Sequence, residues 1–151
     1  MRLDDASQLS ASLASPAAEP AAGIALCTTG AIAAALIEKA CALSPAAGLE
    51  AEHARAGDLR AELLATAERD VAAFHAVLDA RRNRGDEHQA WVVAALVLRD
   101  AAALLAETHF LAGDVAQRCR PAVRGEPLAA ALLAAGAERA AIALAEIDES
   151  D

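Results

Sequence analysis

Alanine is the residue that most limits what this chain can fold into. It fills stretches such as Ala31–Leu36 and Leu128–Ala135, and the chain is 56% hydrophobic with only 2% aromatic residues and no tyrosine. Alanine is the best helix former, and the β-branched and aromatic residues that favour strands are scarce. Small side chains are buried effectively when helix backbones approach closely. The composition therefore predicts an all-α fold, an antiparallel bundle. At 151 residues the chain is one domain's worth and can bury a substantial core, so residues 1–151 read as a single helical domain.

Helix signals divide the chain into four main helices and a short N-terminal one. Leu3 to Leu13 reads as the short helix, with Asp4 and Asp5 suited to its first turn. Pro16 and Pro20 enforce an extended loop over Ser15 to Gly23. A helix buried on all sides follows from about Ala22 to Leu43, with Gly23, Cys27 and Gly30 placing small residues on one face. Ser44 and Pro45 then restart the chain as N-cap and first helical position. Longer helices are expected from about Leu49 to Arg82 and from Glu87 to Arg118, separated by the turn Asn83 to Asp86, where Asp86 and Gln89 suit a capping box. Pro121 and Gly125 close the third, and Glu126-Pro127 opens a last helix reaching Ile147.

Charge and cysteine usage exclude several classes. A net charge of -9 opposes both nucleic acid and an anionic membrane surface. Cys27, Cys41 and Cys119 are odd in number and far apart, a reduced cytoplasmic pattern. His53, His75, His88 and His109 show no metal-site spacing, so no metal is expected. The acidic N-terminus lacks the apolar core of a signal peptide. Ala21 to Ile37 is the one membrane candidate, but it is short, alanine-rich and interrupted by Thr28, Thr29 and Gly30, so a buried helix is the better reading.

Three ionisable residues interrupt three apolar stripes. Asp70 lies within Leu59, Leu63, Thr66, Phe74 and Val77; His109 within Trp91, Ala95, Leu98, Ala102, Leu105, Ala112 and Ala116; Arg139 within Leu128, Leu132, Ala135 and Ile142. A carboxylate on an oily face must be paired, kept protonated, or set beside a cavity. Asp70 is thus a general acid or base, or half of a buried ion pair with Arg139 that sets helix register. Arg139 can grip a carboxylate of either Asp70 or a ligand. His109 can shuttle protons, or be a core histidine bonded to a backbone carbonyl. The loop Pro20 to Gly23 leads into a helix N-terminus whose free N–H groups suit an anion, although one glycine gives limited close approach. Glu68 and His75 fall on the wet face.

The order of these pieces resembles the cyclodeaminase/cyclohydrolase family over about Leu9 to Ile147. That family includes the C-terminal domain of formimidoyltransferase-cyclodeaminase and the bacterial methenyltetrahydrofolate cyclohydrolases. Its entry motif P-G-G-G-S is matched by Pro20, Ala21, Ala22, Gly23 and Ile24, with one glycine of three and no serine. Thr29 to Leu36 fits the alanine-rich helix that follows, and Asp70, Ala73, Phe74, His75, Ala76 and Val77 match D-x-x-A-F-N-A-V. Gly125 and Glu126 stand at the family's Ser-Asp, and Arg139 at its helix arginine, while Leu144, Ala145 and Glu146 replace N-V-R-x-N.

The resemblance implies an all-helical homodimer and a small-molecule substrate, with a tetrahydrofolate derivative as one substrate and no other cofactor. It implies Asp70 as proton donor and acceptor, and Pro20, Gly23, Glu126 and Arg139 holding substrate; His109, singled out by its apolar stripe, is a second catalytic candidate. The resemblance points to ring opening, ring closure or ammonia loss at a C–N bond of a small cyclic substrate, and the remodelled loop leaves open both a folate derivative and another ring. The alternative is a non-catalytic helical dimer used for assembly or partner binding.

Overall fold

The computed structural model describes residues 4–16 and 21–150, and these are helical almost throughout. Helix α1 spans Asp4–Leu13, α2 Ala22–Ala42, α3 Glu50–Asn83, α4 Glu87–Arg118 and α5 Gly125–Asp148. Short 3-10 turns at Pro45–Ala47 and Pro121–Val123 precede α3 and α5. The four long helices run up, down, up and down. Each packs on the next, α5 closes against α2, and α2 also touches α4 across the diagonal. Helix α1 lies on the outside, exposed from Asp5 onward except for half-buried Leu9 and Leu13.

Small residues set the spacing of α2 and α3. A Cβ on Gly30 would stand 2.4 Å from Leu105 Cδ2 and 3.0 Å from Leu63 Cδ1, so glycine lets two leucines close over the α2 backbone. Gly23 and Gly30 face Asp70 and Leu63 in matching steps along the antiparallel pair. Further along, Ile37 and Ala56 share the core cluster that also holds Val115 and Ala134. Thr29, Thr66 and Thr108 return their hydroxyls to the carbonyls of Ala25, Glu62 and Leu104, at 2.8, 2.9 and 2.8 Å, and need no other partner.

The rim carries the charge. Glu38 binds Arg60 at 2.6 Å, Arg55 binds Glu107 through two nitrogens at 2.7 and 2.8 Å, and Arg69 binds Asp100 at 2.6 Å. Exposed pairs of this kind contribute little to stability, but each links neighbouring helices and so marks their register. At a helix start, Asp86 Oδ1 accepts the Gln89 N–H at 2.9 Å, the expected cap. Ser44 is used differently: its hydroxyl accepts the Arg120 N–H at 3.1 Å and ties the two short turns together.

Two expectations are corrected. The apolar stripe of α5 does not face the core: Leu128 is 50% and Leu132 77% exposed, and Arg139 is exposed beside them. Ala130, Ala134, Ala137, Ala141 and Ala145 are buried instead. A helix that is apolar all round gives no contrast by which to choose a face. The close approach of α2 and α4 then selects alanine over leucine. Nor is Ala21–Ile37 the one candidate span. Ala22–Ala42, Glu87–Arg118 and Gly125–Asp148 are all long and apolar enough to cross a membrane, by length and composition.

Candidate functional site

One end of the bundle gathers the start of α2, the second half of α3, the start of α4 and the end of α5. Between them lies a pocket of about 170 Å³, lined by Ala21, Ala22, Gly23, Asp70, Phe74, Trp91, Ala94, Leu98, Leu144 and Asp148. Asp70 is half-buried in its wall. The carboxylate presses on the first turn of α2, where a Cβ on Gly23 would meet its Oδ2, Cγ and Oδ1 at 2.1, 2.4 and 2.7 Å. That turn contains no acidic residue, and its N-cap, Ala21, makes no side-chain cap. Asp70 therefore brings negative charge from α3 to the positive end of α2.

The charge is felt one turn further in. Burial, and then the neighbouring Asp70 charge, push the Cys27 thiol from 9.0 up to about 11. Opposite, the rings of Phe74 and Trp91 form a tilted pair with centroids 6.4 Å apart. Arg99 holds Glu149 through two nitrogens at 2.6 and 2.8 Å and fastens the end of α5, with Asp148, to α4.

The sequence-predicted residues are brought together only in part. Asp70 and Gly23 meet, while Pro20 lies outside the described residues. Arg139 is exposed on the outer side of α5 and is not among the pocket's lining residues. His109 sits roughly 16 Å beyond Leu98 along α4, at 1.5 Å per residue. Its Nδ1 lies 3.0 Å from the Ala131 carbonyl, which can only accept, so the proton is on Nδ1. Glu126 accepts from Lys39 Nζ at 2.6 Å, roughly 24 Å along α2 from Gly23. Among the described residues no three His, Cys, Asp or Glu side chains converge as a metal site would require.

Asp148 is a lining residue that lies just beyond the expected end of the last helix at Ile147. Asp148 continues the spacing of Ala134, Ala137, Ala141 and Ala145 along one face, so its inward turn follows once that face is the buried one. Phe74 and Trp91 were placed on core stripes but serve as pocket walls.

The sequence model of the formiminotransferase-cyclodeaminase family matches residues 5–148. The chain belongs to that family. Within this formiminotransferase-cyclodeaminase member, the match spans every helix that lines the Asp70 pocket. Among curated proteins, nothing matches the chain.

Proposed function

We propose that this formiminotransferase-cyclodeaminase family member acts on a C–N bond of a small cyclic substrate, by ring opening, ring closure or loss of ammonia. The observation that carries the reading is the pocket beside Asp70, with a carboxylate fixed against a helix end and facing apolar walls. Fixed position and partial exclusion of water are what proton transfer at a reacting nitrogen requires. In the hydrolytic direction a water oxygen adds to the carbon of a C=N bond while Asp70 takes one water proton. For an iminium-type carbon the π pair moves to nitrogen on addition. Asp70 then gives its proton to that nitrogen as the C–N bond breaks, and the added hydroxyl loses its remaining proton to solvent as the carbon becomes a carbonyl. In the deaminating direction a second substrate N–H adds to the carbon of a C=NH group and its proton passes to the former imine nitrogen. Asp70 supplies one further proton as that C–N bond breaks, so ammonia leaves and a C=N+ remains in the closed ring. Three buried free thiols, at Cys27, Cys41 and Cys119, support a cytoplasmic setting.

Asp70→Asn keeps the side chain's shape and removes its proton chemistry. Turnover of small cyclic amidines and imines, followed by nuclear magnetic resonance and ammonia release, should fall to background while the helical circular dichroism signal is retained. Normal turnover by the Asn variant would sink the mechanism.

A second reading, an assembly role as a homodimer, draws on a different surface. Leu128 and Leu132 stand out from α5, and Phe110 of α4 is 73% exposed. Gly136, on the same outer side of α5, meets nothing within 4 Å where its Cβ would be. A face of leucines around a glycine suits close antiparallel pairing of two copies of α5.

A further inference from the structure

We propose that the Asp70 pocket takes a cation carried on a single small ring, such as a cyclic ammonium, iminium or amidinium. The inference rests on the reading of Asp70 as the site's working acid and narrows it to one charge type and size. Two carboxylates from different helices line the cavity, Asp70 on α3 and Asp148 on α5, and among the described residues its lining contains no Lys, Arg or His. The positive end of α2, a feature that would welcome an anion, already faces the Asp70 carboxylate. An anionic ring would meet two like charges.

The uncharged walls point the same way. Phe74 and Trp91 present two ring surfaces at 55° to one another, and Leu98 and Leu144 add aliphatic surface. Aromatic faces attract cations, most of all where water is thinned out. A carboxylate offers about four lone-pair positions, so one engaged by protein donors still has room for a ring N–H. The walled part, about 170 Å³ and partly open to solvent, has room for one ring, since an enclosed apolar cavity of about 150 Å³ accepts a benzene.

Trp91 is the chain's single tryptophan and stands in the wall, so its fluorescence reports the site directly. The full chain is titrated with three probes of one ring size: piperidinium chloride, neutral tetrahydropyran and sodium cyclohexanecarboxylate. Saturable change is expected with piperidinium alone. Asp148→Asn should weaken it about tenfold, whereas Glu146→Gln, exposed on the preceding turn, should leave it unchanged. Circular dichroism melting of both variants verifies that they are folded. Tetrahydropyran or cyclohexanecarboxylate saturating at the same or lower concentration would overturn the proposal, as would an unchanged piperidinium affinity in Asp148→Asn. Asp70-dependent turnover of a neutral cyclic substrate without piperidinium binding removes the cation and leaves the C–N chemistry. Saturable piperidinium binding with no Asp70-dependent turnover does the reverse.

Discussion

Asp70 and Gly23 form one contact: the carboxylate lies where a side chain on Gly23 would have to be, 2.1 Å from Oδ2 to the missing Cβ. Gly23→Ala should therefore move the carboxylate while favouring helix α2 slightly through alanine's higher propensity. Displacement of a reacting group by about 1 Å costs roughly a hundredfold in rate. We expect turnover to fall on that order while the melting temperature stays within a few degrees. Unchanged kinetics in the alanine variant would show that Asp70 is not held by this contact.

Gly30→Ala should behave in the opposite way. Its Cβ meets Leu105 and Leu63, both fully buried and with nowhere to retreat. Overpacking of this kind costs about 1–3 kcal/mol, read as a lower urea midpoint. Gly113→Ala, in open space on α4, should instead gain about 0.5–1 kcal/mol. Equal midpoints for the two variants would contradict the packing described for α2.

Alkaline pH should weaken the fold. Burial is the main reason that Cys27 and Cys41 are each pushed from 9.0 up to about 11. A thiol whose folded value is raised adds stability that is complete below the unfolded value and disappears as pH climbs through the folded one. Stability should thus decline between about pH 9 and pH 11, and less steeply in Cys27→Ala. Denaturant midpoints measured across that range test this, and a flat profile in the parent chain would refute it.

The outer face of α5 makes a prediction about assembly. If two copies pair there, the chain has the mass of a dimer by light scattering, and Leu132→Glu has that of a monomer with unchanged helix content. A monomeric parent, or a dimer that survives the glutamate, would dismiss this face as an interface.

The helices and their boundaries were readable because prolines, glycines and the Asp86 cap punctuate a chain with little strand propensity. The faces of α3 and α4 were readable too, since polar residues interrupt them and leave Leu59, Leu63, Leu98 and Leu105 on one side. In α5 alanine lies on every side, and nothing local says that Leu132 faces out while Ala134 faces in. That choice is made by how near α2 and α4 come, which is a property of the assembled bundle. The same blindness affected the site. Asp70 and Gly23 could be singled out, but the inward turn of Asp148 depended on the true face of α5, and Arg139 on the false one.

The alanine side of α5 also has a consequence for how this chain can vary. In most interiors damage comes from truncation, when a large side chain is lost and a void is left. Ala130, Ala134, Ala137, Ala141 and Ala145 have almost nothing to lose, so their tolerance is lopsided. Enlargement is what they cannot absorb, because each added methylene must push two backbones apart. Drift along this helix is therefore free on the leucine side, where volume is unconstrained unless a partner covers it, and ratcheted toward the smallest residues on the other.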